Sequence, residues 1–172
     1  MLIRDATFAD LDAINAIYNH EVLHGTATWD YEPWPIERRR EWFAARDATT
    51  PTLVTEADGR VVGYAFLSEF RPRPGYRHTR EDSVYVLESM RGQRVGDALL
   101  AALVERARVL GVHCVIGIIE ATNAASIRLH LNHGFDDAGT MREVGRKFGR
   151  WLDITTVQLV LPGPPDPDAW ER

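Results

Sequence analysis

The feature that most restricts the fold is the stretch from residue 81 to residue 110, whose hydrophobic period changes partway along. Ser83-Val84-Tyr85-Val86-Leu87 is β-branched and aromatic, as a buried strand is. Val95, Leu99, Ala102, Leu103, Ala107 and Leu110 recur at helical spacing. Between the two lies a short turn, Arg91-Gly92-Gln93-Arg94-Val95-Gly96. A strand that enters a helix through such a turn leaves the helix's first N–H groups without partners. With the helix dipole, those groups form a site for an anion, most often a phosphate.

The rest of the chain arranges itself around this unit. Residues 2–4 read as a first strand, and Thr7-Phe8-Ala9-Asp10 resembles a capping box opening a helix to about residue 21, with Leu11, Ile14, Ile17 and Tyr18 on its apolar face. Residues 25–35 are irregular and hold Trp29, Tyr31 and Trp34, which form either a packed lid or dimer contact, or a wall of a substrate pocket. Pro35 suits the first turn of a second helix carried by Ile36, Arg39, Trp42 and Phe43. Residues 52–56 and 61–68 flank Ala57-Asp58-Gly59-Arg60 and predict an antiparallel hairpin. Two prolines take residues 70–77 out of the sheet as an ordered loop with three arginines. After the strand at 78–87 and its helix come a strand at 114–120, a short helix at 124–132, and a closing pair of strands at 135–143 and 154–161. Lys147-Phe148-Gly149-Arg150-Trp151 reads as a turn with a packed Trp. Hairpins first and β-α-β units later predict a central mixed sheet with helices on its faces.

At 172 residues and 45% apolar content the chain fits one globular domain, 1–162, followed by a Pro-rich tail at 163–172. A net charge of −5 argues against a nucleic-acid binder, and Arg38-Arg39-Arg40 reads as a solvated helix face. One cysteine, Cys114, excludes an intrachain disulfide and reads as a buried strand residue. No signal peptide or membrane-spanning run is apparent, so a cytoplasmic enzyme without a membrane partner is expected, and no metal.

The 91–96 turn resembles the Arg/Gln-x-x-Gly-x-Gly/Ala pyrophosphate loop of the GCN5-related N-acetyltransferases (GNAT), with Arg94 at the position of the first Gly. Asn123-Ala124-Ala125-Ser126 and Gly134-Phe135 fall where that family has its later cofactor segment and helix end. Residues 81–86, 123–127 and 145–153 resemble the phosphinothricin and methionine sulfoximine acetyltransferase branch, and this closer likeness covers nearly the whole chain. The resemblance implies an α/β (α+β) GNAT fold. Its centre is a mixed, mostly antiparallel sheet of about seven strands flanked by helices, with the cofactor cleft between strands 4 and 5.

The resemblance also implies a chemistry. Acetyl-CoA would be the cosubstrate and a small-molecule amine the acceptor, in a homodimer to which the Trp29/Trp34 region and residues 149–151 supply contacts. Val84, Tyr85 and Val86 would lie beside the acetyl group, with a backbone N–H on the thioester carbonyl. Arg91, Gly92, Gln93, Arg94, Val95, Gly96 and Asp97 would cradle the pyrophosphate, and Asn123 and Ser126 would meet the pantetheine arm. Arg94 either reaches phosphate or lies in solvent. His130 stands where many members place a tyrosine that protonates the leaving thiolate, and it is either that acid or a helix-packing residue.

An α-amine must lose a proton before attack, and Glu81 matches the branch's catalytic glutamate. A partly desolvated carboxylate has a raised pKa, the property a base needs here; pairing with Arg77 or Arg80 is the alternative. Arg71, Pro72, Arg73, Tyr76, Asp82 and Ser83, with Glu81, would border the acceptor, the two arginines binding its carboxylate or its phosphinate or sulfoximine group. The expected reaction is direct N-acetylation of an amino-acid-like α-amine, with no need of Cys114. The alternatives are acetylation of a peptide N-terminus or a polyamine, or a non-catalytic acyl-CoA-binding module.

Overall fold

In the computed structural model, which describes residues 1–162, the change of period seen in the sequence becomes β4 (Thr79–Val86) running into α3 (Val95–Val109). The tail expected at 163–172 lies outside the described residues. Before this unit come β1 (Leu2–Asp5), α1 (Leu11–His24), α2 (Ile36–Ala44), β2 (Thr52–Ala57) and β3 (Arg60–Glu69). After it come β5 (Cys114–Glu120), α4 (Ala124–Asn132), β6 (Asp136–Lys147) and β7 (Arg150–Val160). The strands form one sheet in the order β1-β2-β3-β4-β5-β7-β6, in which β4 and β5 are the parallel pair and the other neighbours are antiparallel.

The cleft follows from the register of that parallel pair. β4 and β5 are bonded from Thr79↔Cys114 to Asp82↔Gly117 and no further. Beyond that point β4 stays with β3 to Val86↔Gly63, while β5 stays with β7 to Glu120↔Ile154. Each strand keeps its outer neighbour, so the two part and open a wedge whose vertex is Asp82/Gly117.

Strand alternation gives β4 two faces. Val84 and Val86 pack with α3 residues Val95, Leu99, Leu100 and Leu103 in the larger core cluster. Tyr85 faces α1 and α2 in a second cluster with Tyr18, Tyr64, Trp34 and Phe66, its ring stacked 5.1 Å from that of Tyr64. Asp82 therefore shares the α3/α4 face, and Glu81 and Ser83 share the α1/α2 face.

Several expectations change. Residues 8–10 make a single 3₁₀ turn and α1 starts at Leu11; the Thr7 N–H still donates to the Asp10 carboxylate (2.7 Å), which Arg4 holds down at a pKa of about 2. Pro35 precedes α2 in an extended conformation rather than lying in its first turn. Arg39 is 1% exposed, not solvated, and its guanidinium lies over the rings of Tyr18, Trp34 and Trp42. Cys114 is half-buried.

β6 and β7 run further toward each other than the sequence suggests, because a bulge at Glu143 (φ 54°) breaks the two-residue period before pairing resumes at Gly145↔Leu152. They meet in a tight turn with Phe148 and Gly149 both at positive φ, like Asp58-Gly59 between β2 and β3. In that turn Lys147 is buried, while Trp151, expected to pack, is 61% exposed.

Candidate active site

The wedge is the mouth of a cleft of about 690 Å³ lined by β4, β5, the turn into α3 and one side of α4. Arg94 caps α3 in the left-handed conformation (φ 64°), the geometry that explains a Gly at this place in the GNAT loop. The first intrahelical bond is Ala98 N–H to Arg94 C=O at 3.0 Å, so the N–H groups of Val95, Gly96 and Asp97 have no helical acceptor. Val95, Gly96 and Asp97 all line the cleft, as do Gly92 and Arg94. A Cβ at Gly96 would come within 3.4 Å of Leu129 Cδ2 and 3.6 Å of Val86 Cγ2, so a side chain there would fill the cradle. Unpartnered N–H groups at a helix N-terminus with open space before them fit a pyrophosphate.

The side chains of this loop already have partners. Arg91 forms an ion pair with Glu21 of α1, a buried carboxylate that also lines the cleft. Arg94 turns to solvent and lies 3.2 Å from Asp97, which also meets His133 at 3.0 Å. Val95 points into the core, and the Gln93 amide donates to the Ser89 carbonyl away from the cleft wall. The anion site is thus a backbone site more than a site of positive side chains.

On the α4 side, Asn123 caps the helix by accepting the Ser126 N–H at 3.1 Å. His130 is buried, with Nδ1 2.7 Å from the Ser126 carbonyl and Nε2 2.9 Å from Asp82 Oδ2. Asp82 was expected beside the acceptor; its carboxylate lies on the opposite face from Glu81 and is taken up by His130. A carbonyl and a carboxylate both accept, so when the ring is protonated both of its N–H groups are engaged within the protein.

On the other face, Glu81 is half-buried and has no cation partner among the described residues; Arg80 instead donates to the carbonyls of Thr49, Arg77 and Thr79. Burial and then the charge of Asp82 push its pKa up, as a base for an amine requires. Glu81 pairs with Ser68 in register, so the loop that follows Glu69 is rooted beside it. Arg71, Pro72, Arg73 and Tyr76 of that loop line a separate cavity of about 310 Å³, and Glu81 lies in the wall of neither cavity. The described chain therefore does not join Glu81 and the arginine loop in one pocket.

Residues 25–35 are strapped to the β6–β7 end. Buried Lys147 donates to the Thr28 carbonyl at 2.7 Å and the Glu21 carbonyl at 3.2 Å, and the Tyr31 hydroxyl to the Arg146 carbonyl at 2.7 Å. Trp29 occupies the space over Gly145, where a Cβ would fall 1.9 Å from its ring. The sequence reading missed Glu21 and Lys147. A signal existed for Glu21, which follows Ile17 and Tyr18 on the apolar stripe of α1; Lys147 gave none, because its burial depends on a loop far away in the chain.

The profile described as "Acetyltransferase (GNAT) domain" matches residues 3–156. The L-methionine sulfoximine/L-methionine sulfone acetyltransferase of Pseudomonas paraeruginosa is 50% identical over 161 residues, which span 92% of this chain and 94% of the relative. Among solved structures, the yncA protein of Salmonella typhimurium with its cofactor acetyl-CoA superposes with a TM-score of 0.94 at 45% identity, covering 98% of each chain. The ribosomal-protein-alanine N-acetyltransferase of Brucella melitensis superposes with a TM-score of 0.92 at 49% identity, covering 94% of this chain and all of the other.

Proposed function

The chain belongs to the GNAT family of acetyltransferases, and we propose that it acetylates the α-amine of a free amino acid of the methionine sulfone, methionine sulfoximine or phosphinothricin type. The observation that carries the acceptor class is one loop that starts beside a half-buried carboxylate without a cation and carries, in a cavity of its own, two arginines without carboxylate partners among the described residues. One supplies a base for the ammonium group, and the others supply charge for an oxyanion.

The chain's own groups divide the work. The N–H groups at the start of α3 bind the pyrophosphate of acetyl-CoA, and the edge of β4 freed by the wedge offers a backbone donor to the thioester carbonyl. Glu81 takes the proton from the acceptor ammonium. The freed amine attacks the carbonyl carbon, the nitrogen of the adduct gives up its second proton as the C–S bond breaks, and the thiolate, a good leaving group with a pKa of about 8.5, takes up that proton through water, while Glu81 returns its own to solvent. No covalent enzyme intermediate is needed; burial raises the pKa of the Cys114 thiol and keeps it un-ionised. Arg71 and Arg73 hold the acceptor's carboxylate or its sulfone, sulfoximine or phosphinate oxygens.

Two copies join through the exposed apolar side chains of the β6–β7 end, Met141, Val144, Phe148 and Trp151. The enzyme works in the cytoplasm; among the described residues no helix is long and apolar enough to cross a membrane. A second reading, acetylation of an N-terminal alanine on a protein, is favoured by the Brucella likeness.

Free-thiol release from acetyl-CoA with a panel of amines tests the assignment. Methionine sulfone, methionine sulfoximine and phosphinothricin are expected to be substrates, and their methyl esters, which keep the amine and lose the carboxylate charge, much poorer ones. Equal kcat/KM for acid and ester, with turnover of an alanine-terminated peptide, would move the second reading ahead.

A further inference from the structure

At the vertex of the wedge lies a buried ion pair that acetyl transfer as described does not use. The side chains of Asp82 and His130 are 1% and 4% exposed, and they meet where the β4–β5 ladder ends, opposite Gly117. Gly117 makes the contact possible: a Cβ there would stand 3.2 Å from His130 Cδ2 and Nε2 and 2.8 Å from Val157 Cγ2. Phe135 closes the other side of the ring, edge-on at 5.0 Å.

The pair ends a continuous chain of hydrogen bonds. Asn123 Oδ1 accepts from the Ser126 N–H, the Ser126 carbonyl accepts from His130 Nδ1, and His130 Nε2 donates to Asp82 Oδ2. It runs from the end of α4 that lines the cleft to the strand that faces the thioester. We propose that Asp82 is a positioning residue for acetyl transfer: acting through His130, it fixes α4, and with it Asn123 and Ser126, against β4 where the two strands part. The proposal rests on the acetyl-transfer reading for its function, though not on the role of Glu81.

Charge supports the same arrangement. Burial opposes a proton on His130, but the hydrogen bond and charge of Asp82, helped by the Ser126 carbonyl, outweigh it and raise the pKa above its usual value. Among the described residues the ionisable group that touches the ring is Asp82, and the charge of Asp82 in turn acts on Glu81 on the far face of β4. A raised histidine pKa means that the lock contributes fully below the ordinary value and is lost as pH rises through the raised one. Loss of that proton also leaves Asp82 uncompensated beside Glu81.

The test compares Asp82→Ala, which removes the partner, with Asp82→Asn, whose amide N–H can still donate to a neutral ring nitrogen. Acetyl-CoA affinity is measured by calorimetry, kcat and KM across pH, and the ring titration by NMR with labelled histidine. In the wild type the His130 ring should titrate above the ordinary value of about 6.5, and cofactor affinity should fall as it does so. Asp82→Ala should weaken acetyl-CoA binding by roughly tenfold or more. Asp82→Asn should recover most of that loss and no longer show the alkaline fall. A folded Asp82→Ala protein with wild-type acetyl-CoA affinity would overturn the proposal, as would a wild-type His130 that titrates at or below its ordinary value; the second result needs no variant to fold. Glu81→Gln, measured alongside, separates the readings, since a failure of the base assignment would appear in its kcat and leave the Asp82 affinities unaffected.

Discussion

Around the cleft and the turn into α3, charged side chains are neutralised in pairs: Arg91 with Glu21 of α1, Arg94 with Asp97, Asp82 with His130. On the α1/α2 face and the loop rooted beside it, Glu81, Arg71 and Arg73 have no opposite charge among the described residues, and Arg71 lies only over the Phe70 ring. Glu81 and Asp82 are neighbours in sequence, yet the alternation of the strand gives one a cation and leaves the other without. The start of α3 offers backbone N–H groups to an anion, so the side-chain charges there are free to hold the walls in place. On the proposed function, the uncompensated charges of the other side are those that would read and deprotonate a small-molecule acceptor.

The comparison breaks first at the arginine loop. Arg71→Ala and Arg73→Ala should each raise the acceptor KM about ten- to a hundredfold, because a hydrogen bond to a charged group contributes roughly 1.5–3 kcal/mol. Acetyl-CoA affinity should not move. Unchanged acceptor kinetics in both variants would show that the loop reads no oxyanion.

Gly96→Asp tests the opposite side. It adds bulk where a Cβ already lies 3.4 Å from Leu129 and negative charge where phosphate is expected, so acetyl-CoA affinity measured by calorimetry should fall by roughly tenfold or more. A variant that binds as the wild type does would remove the anion site from α3.

The smallest effect sharpens the comparison. Arg94→Gly relieves a left-handed non-glycine residue, a conformation that costs about 1–2 kcal/mol, while removing only a solvent-facing charge already paired with Asp97. Thermal stability should rise slightly and acetyl-CoA affinity change little; a large loss of affinity would give Arg94 a direct role at the phosphates.

The fold was legible where local period and local turns decide it. β5 and α4 fall at their expected residues, and the Asp58-Gly59 turn, both residues at positive φ, is what the sequence there asks for. The far ends of β6 and β7 were hidden because the bulge at Glu143 breaks the alternation. The turn proposed to hold the anion was legible as a turn because it depends on one strand-turn-helix unit. Most of the polar contacts around it were not, because they join segments distant in the chain: the pairs Arg91 to Glu21 and His130 to Asp82, and the hydrogen bonds of Lys147 to the carbonyls of Glu21 and Thr28. Arg39 was misread for the same reason, since helical spacing places it on the stripe of Ile36 and Phe43 but does not reveal the three rings that receive it.

The division between the two faces of β4 is tested most directly by Glu81→Gln, with turnover and acetyl-CoA binding measured on the same preparation. Burial raises the Glu81 pKa, so ionised Glu81 costs the fold stability as pH rises through that value; the neutral glutamine should therefore leave the melting temperature at pH 7 unchanged or higher. Against that intact fold, kcat at neutral pH should fall on the order of 10²-fold, and the loss should shrink as pH rises and more of the amine is already neutral. Acetyl-CoA affinity should stay at the wild-type value. Wild-type turnover at neutral pH, or a fall in turnover matched by an equal fall in acetyl-CoA affinity, would contradict the account.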